Sequence, residues 1–245
     1  MRRLSAVFAV LILLLLTATH LLAQSATPEA TQPANQSIGE LLASLPQART
    51  ADGGFVAGNP NAPITVIEFA DYACPHCQEY RPVIDQMITQ YVATGQAKFE
   101  LRIFPTAGGE TTYYAGQLVE CANHQRLGDY WRAYDLLYSY AENGTYDQNM
   151  GQLLASDLHI KYDKLLHCAQ SAKQVQTDIN LAESSGVTGT PGVMVRYADG
   201  DPQFITLDGR TFNAGGPPFV VLAQTIEAAN HPDMNNGGTN MSEMS

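Results

Sequence analysis

The chain has 245 residues, of which 45% are apolar, 15% charged and 9% aromatic, a composition that excludes disordered and fibrous classes. Thirteen Lys and Arg against 24 Asp and Glu give a net charge of -11, which leaves no basic face for a phosphate backbone and excludes nucleic acid as a partner. Apolar residues reach membrane-spanning length in one run, at the extreme N-terminus, so a multi-span transporter is excluded as well.

Residues 1–23 open with Arg2 and Arg3, continue through the apolar run Ala6 to Leu16 and close on Leu21-Leu22-Ala23. They read as an export leader, either cleaved or kept as an anchor, and both readings place the rest of the chain outside the cytoplasm, periplasmic or at the cell surface, in an oxidising compartment. Residues 24–57 read as a flexible tether, because QSATPEATQPANQ has no apolar period to offset its chain entropy. Within the tether, Ser37-Ile38-Gly39-Glu40 has capping-box spacing ahead of Leu41, Leu42 and Leu45, which predicts a short helix ended by Pro46.

Ile64 to Phe69 (ITVIEF) predicts a buried strand, Pro75 to Gln90 a helix, and Phe99 to Phe104 (FELRIF) a second strand. Helical periodicity then holds through Tyr113 to Asn123, Tyr130 to Tyr140, Gln148 to Ala155, Tyr162 to Ala169 and Lys173 to Ala182. Strands return at Val193 to Tyr197 and Phe204 to Leu207, joined through the turn residues Asp199-Gly200-Asp201-Pro202, and Phe219 to Ala229 predicts a last helix. The predicted order is an α/β sheet domain, residues 58–108 and 186–230, interrupted by an all-helical insertion at 109–185 and followed by a disordered tail at 231–245. The aromatic concentration Tyr113, Tyr114, Tyr130, Trp131, Tyr134, Tyr138 and Tyr140 has the spacing of helix packing, with a minority free to line a groove for apolar peptide.

The four cysteines stand at 74, 77, 121 and 168. The first two form Cys74-Pro75-His76-Cys77 between a predicted strand and the mouth of a predicted helix, the context of a redox dithiol rather than of a zinc ribbon or an attached haem. This spacing turns both sulfurs to one side, with Cys74 outermost as the attacking thiolate and Cys77 beneath it as the resolving thiol. Helix N-terminal amides and the dipole favour negative charge on the Cys74 sulfur, by at most about 2 kcal/mol, and a protonated His76 beside it would add to that. Stabilising the thiolate stabilises the reduced state, so the disulfide is expected to be given away.

With GNPNAP at 58–63, ITVIEFADYACPHC at 64–77, Pro82, CANHQ at 121–125 and GVTGTP at 186–191, the chain resembles the DsbA-like thiol:disulfide oxidoreductases of the thioredoxin superfamily, over roughly Gly58 to Ala229. The resemblance implies a thioredoxin-like sheet domain and makes Pro191 a cis-proline facing the dithiol, with Thr190 offering backbone groups to an extended substrate. It makes Glu68 a buried acid beneath the dithiol that takes or relays the proton of Cys77, and Pro82 a helix-kinking proline. It also implies a structural disulfide between Cys121 and Cys168, which export makes the default physical reading too. A second redox relay and two free core thiols stay open beside it.

The expected activity is an extracytoplasmic dithiol oxidase that passes the Cys74–Cys77 disulfide to exported protein thiols through a mixed disulfide at Cys74. The resemblance implies reoxidation by a quinone-linked membrane partner. A reductase or isomerase on the same fold is the alternative, and a metal-binding module using Cys74 and Cys77 without turnover is a third reading. Neither a cofactor nor a resident metal is expected. The residues ahead of Pro63 are too few for an added dimerisation domain, so a monomer is expected.

Overall fold

The structure, a computed structural model, describes residues 36–232. The leader, the linker up to Asn35 and the tail beyond residue 232 lie outside the described residues. Among the described residues, no helix is long and apolar enough to cross a membrane.

Chain order is α1 (Ile38–Ser44), β1 (Gln47–Arg49), β2 (Phe55–Gly58), β3 (Ile64–Ala70), α2 (Pro75–Met87) and a π-helical turn (Ile88–Val92), then β4 (Lys98–Ile103). Five helices follow: α3 (Glu110–Gln125), α4 (Asp129–Glu142), α5 (Met150–Asp157), α6 (Tyr162–Ala169) and α7 (Gln174–Ser184). The sheet resumes with β5 (Gly192–Tyr197), β6 (Gln203–Leu207) and β7 (Arg210–Phe212), and α8 (Phe219–Asn230) closes the described chain. Spatial strand order is β1-β2-β4-β3-β5-β6-β7, with β3 and β4 parallel and the remaining pairs antiparallel. This is a mixed sheet of thioredoxin-like build with a helical insertion between β4 and β5.

The central strand β3 is buried along its whole length, which is why ITVIEFA reads as a continuous run instead of alternating. Each fully buried Ile, Val or Phe there contributes about 1.5–3 kcal/mol. That burial anchors the strand end from which the dithiol projects. Pro82 sits inside α2, where it cannot donate to the preceding turn, and the helix ends in the π turn five residues later.

The tether expected over 24–57 needs correction, because its last part belongs to the sheet. β1 and β2 form a hairpin that joins β4, with Phe55 opposite Leu101 and Ala57 opposite Phe99. β1 is short, polar and mostly exposed, so it carries no hydrophobic pattern to betray it. What holds the hairpin is charge from elsewhere: buried Arg102 on β4 donates to Asp52 at 2.9 Å, to Thr50 at 3.1 Å, to Asp178 on α7 at 2.9 Å and to Glu100 at 2.7 Å. Fully paired, such a cluster roughly offsets its desolvation cost, while losing one partner would cost about 3–5 kcal/mol. Strand β7 is likewise absent from the sequence pattern.

The short helix α1 forms as its capping residues predict, with Ser37 Oγ accepting from the amide of Glu40 at 3.3 Å. The reciprocal half of the box is not made: the Glu40 carboxylate instead accepts from Arg132 on α4 at 2.9 Å. Gly39 lets α1 press onto α4, since a Cβ there would stand 2.7 Å from the carbonyl of Trp131.

Cys121 on α3 and Cys168 on α6 are joined, 47 residues apart in sequence and with Cα atoms 5.7 Å apart. On the loop-entropy account, changing both to serine lowers the unfolding free energy by about 2–4 kcal/mol. Urea denaturation would show this as a lower midpoint, and an unchanged midpoint would mean the cross-link constrains the unfolded chain little.

Candidate functional site

The site is built where β3 ends. Asp71 to Ala73 turn the chain, Cys74 is the N-cap of α2 in extended backbone conformation, and Pro75 occupies the first turn, where its missing amide hydrogen costs nothing. The carbonyl of Cys74 accepts from the amides of Cys77 (3.0 Å) and Gln78 (3.1 Å), closing the first turn and placing both sulfurs on one side. Cys74 is 6% exposed and Cys77 0%, so the expected order of access holds, although the outer sulfur shows only an edge to solvent. Both are free thiols.

Across from the dithiol, the Thr190–Pro191 peptide bond is cis. The Thr190 carbonyl lies 3.4 Å from the Cys74 sulfur and accepts from its thiol. Sequence reasoning aimed the helix amides at this sulfur; the contact formed is with that carbonyl, and the Cys74 side chain makes no capping bond to its own helix. Thr190 Oγ1 is hydrogen-bonded to Thr106 Oγ1 in the loop after β4.

His76 stands in solvent, 77% exposed, with Nδ1 3.4 Å from the equally exposed Glu79 carboxylate. The hydrogen bond that His76 makes is to Glu79. Pro75 is exposed next to it.

Glu68 lies beneath the dithiol, 1% exposed, with Oε2 buried and lacking any hydrogen-bond partner. Burial, with a smaller push from Asp85, raises its carboxyl from 4.5 to about 8, against a lowering by Arg81. Burial first and the Glu68 charge second push the Cys77 thiol far above the ordinary thiol range, opposed by hydrogen bonds from the Asp71 backbone and from Thr190. Two acids thus share a buried site, and the Glu68 charge disfavours ionisation of Cys77.

Tyr72, Tyr134 and Tyr138 pack as a layer under this pair, with Tyr72 and Tyr138 ring centres 5.1 Å apart edge to face. The aromatic residues Tyr130, Trp131, Tyr134, Tyr138 and Tyr140 are all buried, so the insertion spends them on packing. On the outer side of α2, Arg81 pairs with Asp135 and, at 3.5 Å, with Asp85, around a cleft of about 410 Å3.

One residue that sequence reasoning missed organises the whole rim. Asp71 is fully buried and its carboxylate accepts four hydrogen bonds: Ala73 N at 2.9 Å, Thr112 Oγ1 at 2.5 Å, Ala107 N at 2.7 Å and Gly108 N at 2.8 Å. It thereby ties the turn before Cys74 to the loop that carries Thr106. Gly108 allows the approach, since a Cβ there would lie 2.2 Å from Thr112 Oγ1. An acid three residues before the first cysteine was visible, but the loop it binds lies 36 residues away. Asp71→Ala would leave three partly buried amides and the buried Thr112 hydroxyl without their acceptor and is expected to cost about 2–3 kcal/mol of stability. Urea unfolding of the variant checks this, and a loss below about 1 kcal/mol would mean that water replaces the carboxylate.

The family described as Thioredoxin matches residues 50–201, and the chain belongs to it. It is DsbA-like within the thioredoxin superfamily, and it is a protein thiol:disulfide oxidoreductase. The probable disulfide bond formation protein D of Bacillus anthracis is 26% identical over 159 residues, covering 61% of this chain and 73% of the relative. A Na(+)/H(+) antiporter NhaA 3 of Salinispora tropica is 27% identical over 146 residues, 59% of this chain; the chain spans only 22% of that relative's length. Among solved structures, Wolbachia pipientis alpha-DsbA1 superposes with a TM-score of 0.61 at 20% identity, covering 82% of this chain and 99% of that one. Oxidised BdbD from Bacillus subtilis gives 0.56 at 21% identity, covering 71% and 91%. At these identities the structures bear on the fold.

Proposed function

We propose that the chain is an extracytoplasmic oxidase that donates the Cys74–Cys77 disulfide to the thiols of exported proteins. A substrate thiolate attacks the Cys74 sulfur and forms a mixed disulfide there, while Cys77 leaves and takes up a proton. A second substrate thiol then displaces Cys74, and the substrate departs with its new disulfide. The observation that carries the reading is the difference between the two sulfurs: Cys74 at the rim beside the Thr190 carbonyl, Cys77 sealed beneath it on a buried acid. Glu68 is the group that shuttles the Cys77 proton, because a carboxyl held near 8 exchanges a proton close to neutral pH. The substrate chain would lie along Thr190 and Pro191, whose backbone faces the reacting sulfur.

The reduced dithiol would be reoxidised by a quinone-linked membrane partner, as the likeness to disulfide bond formation proteins supports. The exported location rests on the N-terminal leader and on that same likeness.

The test is the equilibrium potential of the Cys74–Cys77 pair against glutathione, with Cys121 and Cys168 intact. A potential nearer about -120 mV than about -270 mV fits a donor of disulfides. A value near about -270 mV would overturn the oxidase and favour a reductase on the same fold.

A further inference from the structure

The helical insertion holds a second sulfur cluster, and its third member is a histidine. Cys121 and His124 lie three residues apart on α3, on one helix face, and Cys168 comes from α6. One ligand atom from each falls within 4.8 Å of the others. His124 Nδ1 is 3.4 Å from the Cys168 sulfur.

In a tetrahedral zinc site, with bonds of about 2.3 Å to sulfur and about 2.0–2.1 Å to nitrogen, neighbouring N and S ligands stand roughly 3.5 Å apart and two sulfurs roughly 3.8 Å. His124 therefore already sits at ligand spacing from Cys168. Side-chain rotation about two opened cysteines would supply the sulfur spacing.

The helices have a second tie that does not depend on the cross-link. Gln125 Nε2 donates to the carbonyl of Lys161 at 3.0 Å, and the amide of Lys161 donates back to Gln125 Oε1 at 3.0 Å, clamping the end of α3 to the start of α6. Buried Leu165 and Ala169 seat α6 on the core. Burial is graded across the cluster, with Cys121 buried, Cys168 intermediate and His124 exposed, so the outer side stays open to water.

We propose that the Cys121–Cys168 disulfide masks a Zn2+ site made of Cys121 Sγ, Cys168 Sγ and His124 Nδ1, with water in the fourth position. An external dithiol opens it, giving two electrons and two protons to the sulfurs and leaving as its own disulfide. Zn2+ then displaces both thiol protons to solvent, and neutral His124 contributes a lone pair. Cross-link and ion exclude each other, so bound zinc holds the insertion reduced and must leave before the disulfide reforms.

The full chain carrying Cys74→Ser and Cys77→Ser has Cys121 and Cys168 as its only cysteines. Reduced with a phosphine and titrated without oxygen, it should take up one equivalent of Co2+ with thiolate-to-cobalt charge-transfer absorption, displaced by Zn2+. The disulfide form should bind at least about 100-fold more weakly, and His124→Ala should weaken the reduced form at least about tenfold. Absence of the charge-transfer band on reduction, or equal binding by the disulfide form or by His124→Ala, overturns the site. Peptide-resolved alkylation of the reduced wild-type chain gives a readout without the double variant: saturating Zn2+ should slow modification of Cys121 and Cys168 at least about tenfold. Unslowed modification overturns the proposal, as does a reduced insertion that unfolds and does not refold with Zn2+.

Discussion

Replacing Cys77 by serine is expected to leave the chain covalently attached to its substrate. With the buried thiol gone no Cys74–Cys77 disulfide can form to be donated, and a mixed disulfide that Cys74 makes by attacking a substrate disulfide, releasing the other substrate sulfur as a thiol, cannot be resolved from within, while the rim sulfur keeps its contact with the Thr190 carbonyl. Turnover on a reduced, unfolded protein should fall at least about 1000-fold, the scale seen when one member of a cooperating catalytic pair is removed. Incubated instead with a disulfide-bearing substrate protein, the variant should show the adduct on Cys74 by mass spectrometry. Cys74→Ser should lose the same activity without forming any adduct, because Cys77 is fully buried. If Cys77→Ser turns over within about tenfold of wild type, the two sulfurs do not have the separate roles their burial implies.

The second large effect is on stability against pH. Glu68 keeps its proton in the folded chain up to about 8, whereas in the unfolded chain it loses it near 4.5. Between those values the folded state binds one proton more than the unfolded state, so stability falls as pH rises through this window and levels off above it. The shift corresponds to about 5 kcal/mol, using about 1.36 kcal/mol per pH unit. Asp85 and Asp178, both pushed up to about 6 chiefly by burial, add slopes of the same sign at lower pH. Comparison with Glu68→Gln removes that background. Denaturant unfolding of both proteins from pH 5 to pH 9, dithiol reduced, should show the variant gaining on wild type as pH rises. A difference that stays constant with pH would mean Glu68 ionises in the folded chain as it does in water.

The two effects meet at one place, since the acid that destabilises the folded chain at neutral pH lies under the thiol that must give up and regain a proton. Stability and reactivity are therefore set against each other at Glu68. Burial is the main physical cause, because taking the carboxylate out of water penalises its charged form and so holds the proton on.

Local features were legible where local chemistry decides them. Cys74-Pro75-His76-Cys77 at a strand-to-helix junction announces a redox dithiol, since the helix start alone turns the two sulfurs together. The run Ile64 to Phe69 reads as a buried strand because β3 is covered on both faces. The five helices of the insertion follow from their apolar period, and Ser37 marks the start of α1 by supplying its cap.

Other features depend on partners far away in the chain. β1 has no apolar pattern and exists because β2 and the Arg102 cluster hold it, and Arg102 reaches Asp178 across 76 positions. Asp71 is one acid among many until the fold brings Ala107, Gly108 and Thr112 to its oxygens. His76, next to the cysteines in sequence, is exposed and takes Glu79, one helical turn on, as its hydrogen-bond partner.

The sequence by itself determined the chemistry this protein can perform: two thiols at helix-start spacing, an acid six residues before them, and the strands and helices that periodicity and caps dictate. Only the tertiary structure decided the asymmetry between the two sulfurs, Cys74 at the rim and Cys77 fully buried. The burial of Cys77 and Glu68 and the Thr190 carbonyl beside Cys74 arise from segments far apart in sequence that the fold brings together. Desolvation is a property of the packed whole, and no short stretch of residues encodes it.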